Sequence, residues 1–279
     1  MRFYTNVQMV GDQILVRGYE NGRRFMNRES FNPTLFVPAK GKSKFKTLEG
    51  EYVSPVQPGS IRETRDFIKK YDGVDGFKIF GFERFIYQYI ADNYQEDNID
   101  FDMSKINLIT IDIETKAEYG FPDVESAAEE MLLITIQDFN TKQIITWGVG
   151  PFVNNQENVD YRQFSDEKAM LNGFIHWWID NTPDVVTGWN CEFFDLPYLA
   201  GRLARVLGDK LMKRLSPWGL VTRQEIFVMG RKNFCVDVGG VAILDYMRLY
   251  RWSPGTPNQE SFRLDYIAQQ ELGQQKLDH

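Results

Sequence analysis

The stretch Leu108-Ile109-Thr110-Ile111-Asp112-Ile113-Glu114-Thr115 alternates isoleucine with a polar residue and closes on two carboxylates. A period of two with β-branched residues is the signature of a strand with one face in a core. In a strand, residues i and i+2 point the same way, so Asp112 and Glu114 share a face about 6–7 Å apart. Two acids placed side by side repel unless a cation sits between them. The economical reading is a divalent-metal site at the end of a buried strand, with oxygen ligands that suit Mg²⁺ or Mn²⁺. An isolated Asp-x-Glu more often just faces solvent, so the rest of the sequence has to decide.

The composition narrows the chemistry. The 279 residues suffice for one large domain or two ordinary ones. No run approaches the length of a membrane span, and the start, Met1-Arg2-Phe3-Tyr4, has no signal-peptide core. Cys191 and Cys235 form neither a metal spacing nor a disulfide framework, so a reducing cytoplasm is expected. The only histidines are His176 and His279, which argues against a histidine zinc site or a Ser-His-Asp triad. Catalysis would have to rest mainly on carboxylates. The net charge of -7 is not that of a basic nucleic-acid binder, but the sign is uneven along the chain.

Upstream of the quoted strand, Phe3–Val10, Gln13–Tyr19, Arg23–Phe31 and Thr34–Val37 read as a meander, with Asn21-Gly22 as a hairpin turn. The run Lys40, Lys42, Lys44 and Lys46, with Phe45 among them, could track a phosphate backbone, although a solvated loop is the plainer reading. Ser60 with Glu63 forms a capping box for a helix to about Lys70, and Phe82–Ala91 reads as a second, aromatic-rich helix. The acidic stretch Asp92–Asp102 suggests a boundary near residue 103, giving domains 1–103 and 104–279.

Downstream, Gly120-Phe121-Pro122-Asp123 is a loop with an exposed-looking aromatic. Met131–Gln137 and Gln143–Val149 form a strand pair, and Ser165 caps a helix with Leu171, Phe174, Ile175, Trp178 and Ile179 on one face. His176 lies on that helix and receives no role. Asp184–Asn190 runs as a strand into a turn, and Pro197 marks the first turn of the next helix. Asp195 therefore lies at or just before a helix N-terminus, where an N-cap role is compatible with metal binding. Between Arg202 and Lys232 eight basic residues face two acidic ones, a net of +6 in an acidic chain. Within that region Gln224–Met229 and Asn233–Val238 read as a hairpin with a basic tip at Gly230-Arg231-Lys232, the footprint of a nucleic-acid groove or of a solvated basic face.

Together these motifs resemble a known family. Asp112-Ile113-Glu114 resembles the first exonuclease motif of family B DNA polymerases, and Thr187-Gly188-Trp189-Asn190 through Phe194-Asp195 is similar to the second. Ile243-Leu244-Asp245-Tyr246 and Ser261 through Leu264-Asp265-Tyr266-Ile267 resemble the segments that follow. The order of parts, including the β-rich start and Arg214-Leu215-Ser216-Pro217, is similar to the T4-like bacteriophage replicative polymerases over essentially the whole chain.

The resemblance implies an α/β ribonuclease-H-like exonuclease domain, a mixed sheet with flanking helices, behind a mostly β N-terminal domain, α+β overall. It implies proofreading: two-metal hydrolysis of the 3′ end of single-stranded DNA, with Mg²⁺ or Mn²⁺ about 4 Å apart. Asp112 would bridge both metals, Glu114 would bind one and orient water, and Asp195 would bind the second. Phe121 would stack on a terminal base, and Asn190, Phe194, Arg223, Arg231 and Lys232 would touch DNA. Partners would be the primer 3′ end, the remaining polymerase domains in cis or as a second chain, and replication accessory proteins, in a host cytoplasm for a bacteriophage chain. A third motif, a Tyr followed by an Asp, is expected after the Leu264 region and does not occur before His279, and no polymerase active site is present. One metal ligand is thus missing, with Asp245 and Asp265 as in-chain candidates, and weak activity alone is expected. The alternatives are a non-catalytic DNA-binding or assembly half of a split polymerase, and a stand-alone metal-dependent phosphohydrolase.

Overall fold

The computed structural model describes residues 2–94, 101–118, 120–228, 230–256 and 259–274. It divides into two compact units, Met1–Lys105 and Ile106–His279. Glu96, Asp97 and Asp100 of the acidic stretch lie outside the described residues.

In the first unit β1 (Arg2–Val10), β2 (Gln13–Glu20) and β3 (Arg23–Ser30) form an antiparallel sheet. Asn21 and Gly22 both take positive φ, as a two-residue hairpin turn with this strand twist requires. A second sheet has the order β4 (Leu35–Pro38), β6 (Tyr52–Val56), β5 (Phe45–Lys46). The lysine-rich run read as a loop is therefore partly strand. Helix α1 (Ile61–Tyr71) opens on the expected Ser60/Glu63 capping box. Helix α2 (Phe85–Asn93) starts later than Phe82. Ile14, Val16, Leu35, Ile61, Phe85 and Tyr89 meet in this unit's core.

The second unit is built on β7 (Leu108–Thr115). Around it stand β8 (Met131–Asp138), β9 (Ile144–Val149), β10 (Val159–Phe164), β11 (Val185–Gly188) and β14 (Ala242–Asp245), in the order β10-β9-β8-β7-β11-β14. β7 pairs antiparallel with β8 and parallel with β11, which in turn runs parallel to β14. The sheet is mixed, as expected, although β10 escaped the sequence reading. Ile109, Ile111 and Ile113 are buried, together with residues from α3 (Glu167–Asn181) and α4 (Asp195–Leu207). The cap of α3 is Asp166, whose side chain accepts from Ala169 N–H, rather than Ser165. A short α5 (Asp209–Met212) leads to a hairpin of β12 (Val221–Val228) and β13 (Arg231–Val238). Helices α6 (Tyr246–Trp252) and α7 (Leu264–Leu272) follow β14. Among the described residues no helix is long and apolar enough to cross a membrane.

Candidate active site

The alternation in β7 does what its sequence dictates. Its isoleucines fill the core, and Thr110, Asp112 and Glu114 stand on the opposite, exposed face. The pairing with β8 shifts register between Glu114 and Thr115, so the strand is irregular where its carboxylates end.

Beside it, β11 delivers the third carboxylate through a tight turn. A Cβ on Gly188 would lie 2.7 Å from the Ile111 carbonyl oxygen, so the approach to β7 needs glycine there. Asn190 takes a left-handed φ of 67°, and its N–H donates to Asp245 at 3.2 Å. The other Asp245 oxygen accepts from Glu192 N–H at 2.9 Å, while the first also accepts from Arg248 N–H at 3.1 Å. Arg248 in turn grips both Glu192 oxygens at 2.8 Å. The buried Asp245 carboxylate is thus committed to the backbone of the turn and to capping α6, and is not presented to a metal. Asp265, the other in-chain candidate, is exposed and lines the groove in front of β7.

Asp195 is the first residue of α4 and only 3% exposed. The N-cap position belongs to Phe194, which makes no side-chain cap. The Asp195 carboxylate instead reaches across to β7 and accepts from Ile113 N–H at 3.1 Å. Burial, and next the charge of Asp112, push its pKa up to about 7, against the pull of the Asp195 and Ile113 N–H groups. Asp195 and Asp112 are therefore electrostatic neighbours. Among the described residues no set of three or more His, Cys, Asp or Glu closes into a metal cage.

A groove of about 820 Å³ opens on this face, lined by Asp112, Glu114, Thr187, Trp189, Leu244 and Asp265 among others. Carboxylates from β7 and α7 among apolar residues give it room and chemistry for a nucleotide. Phe121 is 83% exposed, and its ring lies 5.0 Å from that of Phe194, which also packs 5.7 Å from Tyr198.

In the basic region several of the charged side chains already have partners within the protein. Arg202 is buried; its Nε donates to Glu167 at 2.7 Å and its Nη1 to the carbonyls of Ala127 and Ala128. Tyr198 donates to the Glu129 carbonyl, Arg205 to that of Ser126, and Arg223 to those of Val124 and Glu125. Together they brace the β7–β8 connection that carries Phe121. Lys232 pairs with Glu225 at 2.7 Å and Glu125 at 3.7 Å. Arg231 and Lys232 stand in β13 rather than in the turn, and the Arg231 side chain lies outside the described residues. No local sequence signal reveals the partners of Arg202, Arg205 and Arg223, which lie 35 or more positions away in the chain.

Residues 83–267 match the exonuclease domain of DNA polymerase family B. The chain belongs to the family B DNA polymerases. It is 31% identical to the DNA-directed DNA polymerase of Enterobacteria phage T4, an alignment covering 99% of this chain and 33% of that protein. The DNA-directed DNA polymerase of Escherichia phage RB69 is 28% identical with the same coverage. The DNA polymerase catalytic subunit of Alcelaphine herpesvirus 1 is 28% identical over 63% of this chain and 18% of its own length. The chain thus spans about a third of the phage relatives it matches. The family's exonuclease domain in this chain includes the mixed sheet that carries Asp112. Such domains are generally divalent-metal enzymes, and a DNA polymerase domain implies a DNA substrate.

Proposed function

We propose that residues 106–279 remove nucleotides from the 3′ end of single-stranded DNA by metal-dependent hydrolysis, as the proofreading part of a larger polymerase. The observation that carries this is the Asp195 carboxylate, buried against the strand whose Asp112 and Glu114 line a groove wide enough for a nucleotide. A buried acid forced next to another acid calls for a cation, and an all-oxygen donor set suits Mg²⁺ or Mn²⁺. Asp112, Glu114 and Asp195 would hold the metal. When bound, it would lower the pKa of an attacking water and stabilise the leaving oxygen. The protein's own share is positional. Asp245 and Gly188 fix the turn that presents Asp195, while Phe121 and Phe194 offer aromatic faces to the terminal bases. The remaining polymerase domains, in cis or as a second chain, and replication accessory proteins are the proposed partners, in the cytoplasm of a host cell.

The test is degradation of a 5′-labelled single-stranded oligonucleotide by residues 1–279 in Mn²⁺. The expected products shorten one nucleotide at a time from the 3′ end and disappear with Asp112→Ala or Asp195→Ala. Equal degradation by the Asp195→Ala protein would overturn the assignment. Complete inertness, with DNA binding intact, would leave the assembly role as the function of this chain. Hydrolysis of free nucleotides without attack on DNA would point to the phosphohydrolase reading.

A further inference from the structure

The β12–β13 hairpin and the segment that carries Phe121 are remote in the chain but tied together in the fold. Arg223 on β12 lies 99 positions from Val124, yet its Nη2 donates to the Val124 carbonyl at 3.3 Å and to that of Glu125 at 3.1 Å. Lys232 on β13 reaches the Glu125 carboxylate at 3.7 Å. In the hairpin register Arg223 stands opposite Val236, and Lys232 stands opposite Phe227. The two anchors are therefore separated along the hairpin by about 13 Å, the usual rise of four strand residues. The segment also has ties of its own. Asp123 accepts from Ser126 N–H at 2.8 Å, and Ala127 N–H donates to the Asp123 carbonyl at 2.9 Å. Buried Ala127 takes a φ of 42° and sits against Gly201 of α4. A Cβ on that glycine would lie 2.8 Å from the Ala127 Cβ and 3.3 Å from Arg223 Nη2. Hairpin, Phe121 segment and the helix that opens on Asp195 thus meet at one glycine.

One anchor would leave a pivot about which the segment could turn. Two anchors at different heights of an antiparallel ladder fix its direction as well. Between the tied turn and Phe121 stands only Pro122, which is buried and whose ring locks φ. A chain held at Asp123, Val124 and Glu125 therefore leaves the Phe121 ring little choice of place. Arg223 Nη2 is already engaged with two carbonyls, so this edge of the guanidinium is not waiting for a phosphate. We propose that Arg223 is a positioning residue for the terminal-base contact. From the base of the hairpin it sets where the Phe121 ring stands, so that hairpin and aromatic wall take their places together. The inference rests on the reading of Phe121 as a base-stacking residue at an exonuclease site. Arg223 then touches neither base nor phosphate, and its effect reaches DNA only through Phe121.

The experiment uses the 279-residue protein in EDTA, where metal-dependent hydrolysis is silent. It compares the affinity for 5′-fluorescent (dT)₁₂ with that for the same strand ending in an abasic 3′ nucleotide. The ratio of the two isolates the terminal-base contact. In the wild type the intact end should bind about tenfold more tightly, the effect of stacking one base. Phe121→Ala should bring the ratio close to one. Arg223→Met, at an exposed position where folding is not at stake, should lower it to about threefold. Glu125→Gln, which releases only the second anchor, should lower it less. In the Phe121→Ala background Arg223→Met should have no further effect, because it acts through the ring it places. An unchanged ratio in Arg223→Met, or an additional loss in the double variant, would overturn the proposal. Arg223→Met weakening both strands equally would overturn it too, since Arg223 would then be holding a phosphate. So would a wild-type ratio of one, which would leave no terminal-base contact to be placed. Degradation in Mn²⁺ is scored separately. A wild type that shows the ratio and its dependence on Arg223 but degrades no DNA would refute the hydrolytic reading and leave the placement of Phe121 standing.

Discussion

In the proposed site, Asp195 would tie acidity to metal affinity. Its carboxyl titrates near 3.8 when free and up to about 7 in the fold. Between those values the folded protein keeps a proton that the unfolded chain has lost. Its contribution to stability is therefore fully present below about pH 4 and lost as pH rises through about 7. Metal binding has the opposite sign, because a ligand carboxylate must be ionised. Mn²⁺ affinity, followed by calorimetry, should climb between about pH 6 and 8 and then level off. The same titration of Asp195→Asn should be weaker and nearly flat over that range. An equally steep profile in the variant would mean that another group controls the metal. Asp245 makes a different prediction. Asp245→Ala strands three backbone N–H groups, each costing about 1–3 kcal/mol if it finds no other partner, whereas Asp245→Asn keeps one acceptor oxygen. Urea unfolding should rank wild type above Asn and Asn above Ala, and oligonucleotide degradation should fall in the same order. The pair Asp112 and Glu114 was legible in the sequence as a shared strand face. The task of Asp245 was not, because its donors Asn190 and Glu192 lie more than fifty positions away.

At the scale of elements, α4 does two things at once. Its first residue is Asp195, and two turns on it presents the buried Arg202 that ties the Phe121 connection to Glu167. A buried charge pair resists truncation more than it adds to stability, since the surviving partner is left uncompensated. Arg202→Met should cost about 3–5 kcal/mol in urea unfolding. It should also raise KM for single-stranded DNA more than it lowers kcat, since the carboxylates stay in place while the aromatic contact loosens. A loss confined to kcat would count against this division of labour. The helix itself was readable from Pro197 and its leucines, but the purpose of its arginine was not. Charge alone cannot distinguish an arginine waiting for phosphate from one already holding carbonyls. Strand β6 was missed for a local reason. It contains Pro55, which argues against a central strand. The structure tolerates it because β5 pairs only with Tyr52 and Val53, so at Pro55 the strand has a partner on one side alone. Strand β10 hid for a similar reason: it lies at the sheet edge and is polar at Asp160, Arg162 and Gln163.

For the whole molecule, the order of strands in the second sheet sets an order of events. β7, β8 and β9 are successive in the chain and joined by antiparallel pairing, whereas β7 meets β11 by pairing Leu108, Ile109 and Thr110 with the distant Val185, Val186 and Thr187, and β11 waits for Ala242 of β14. Contacts between distant segments form late, because closing the intervening loop costs entropy before any contact repays it. Asp112 and Glu114 thus sit on a strand that can find its first neighbour early. The turn that presents Asp195 cannot settle until Asp245 has arrived. Pulse-labelled hydrogen exchange during refolding should find Ile111 and Ile136 protected before Val186 and Ile243. A chain caught midway, whether during synthesis or after partial unfolding, would then hold its first two acids in register and have no hydrolytic centre. The newborn protein would be harmless to DNA until its last strand had docked.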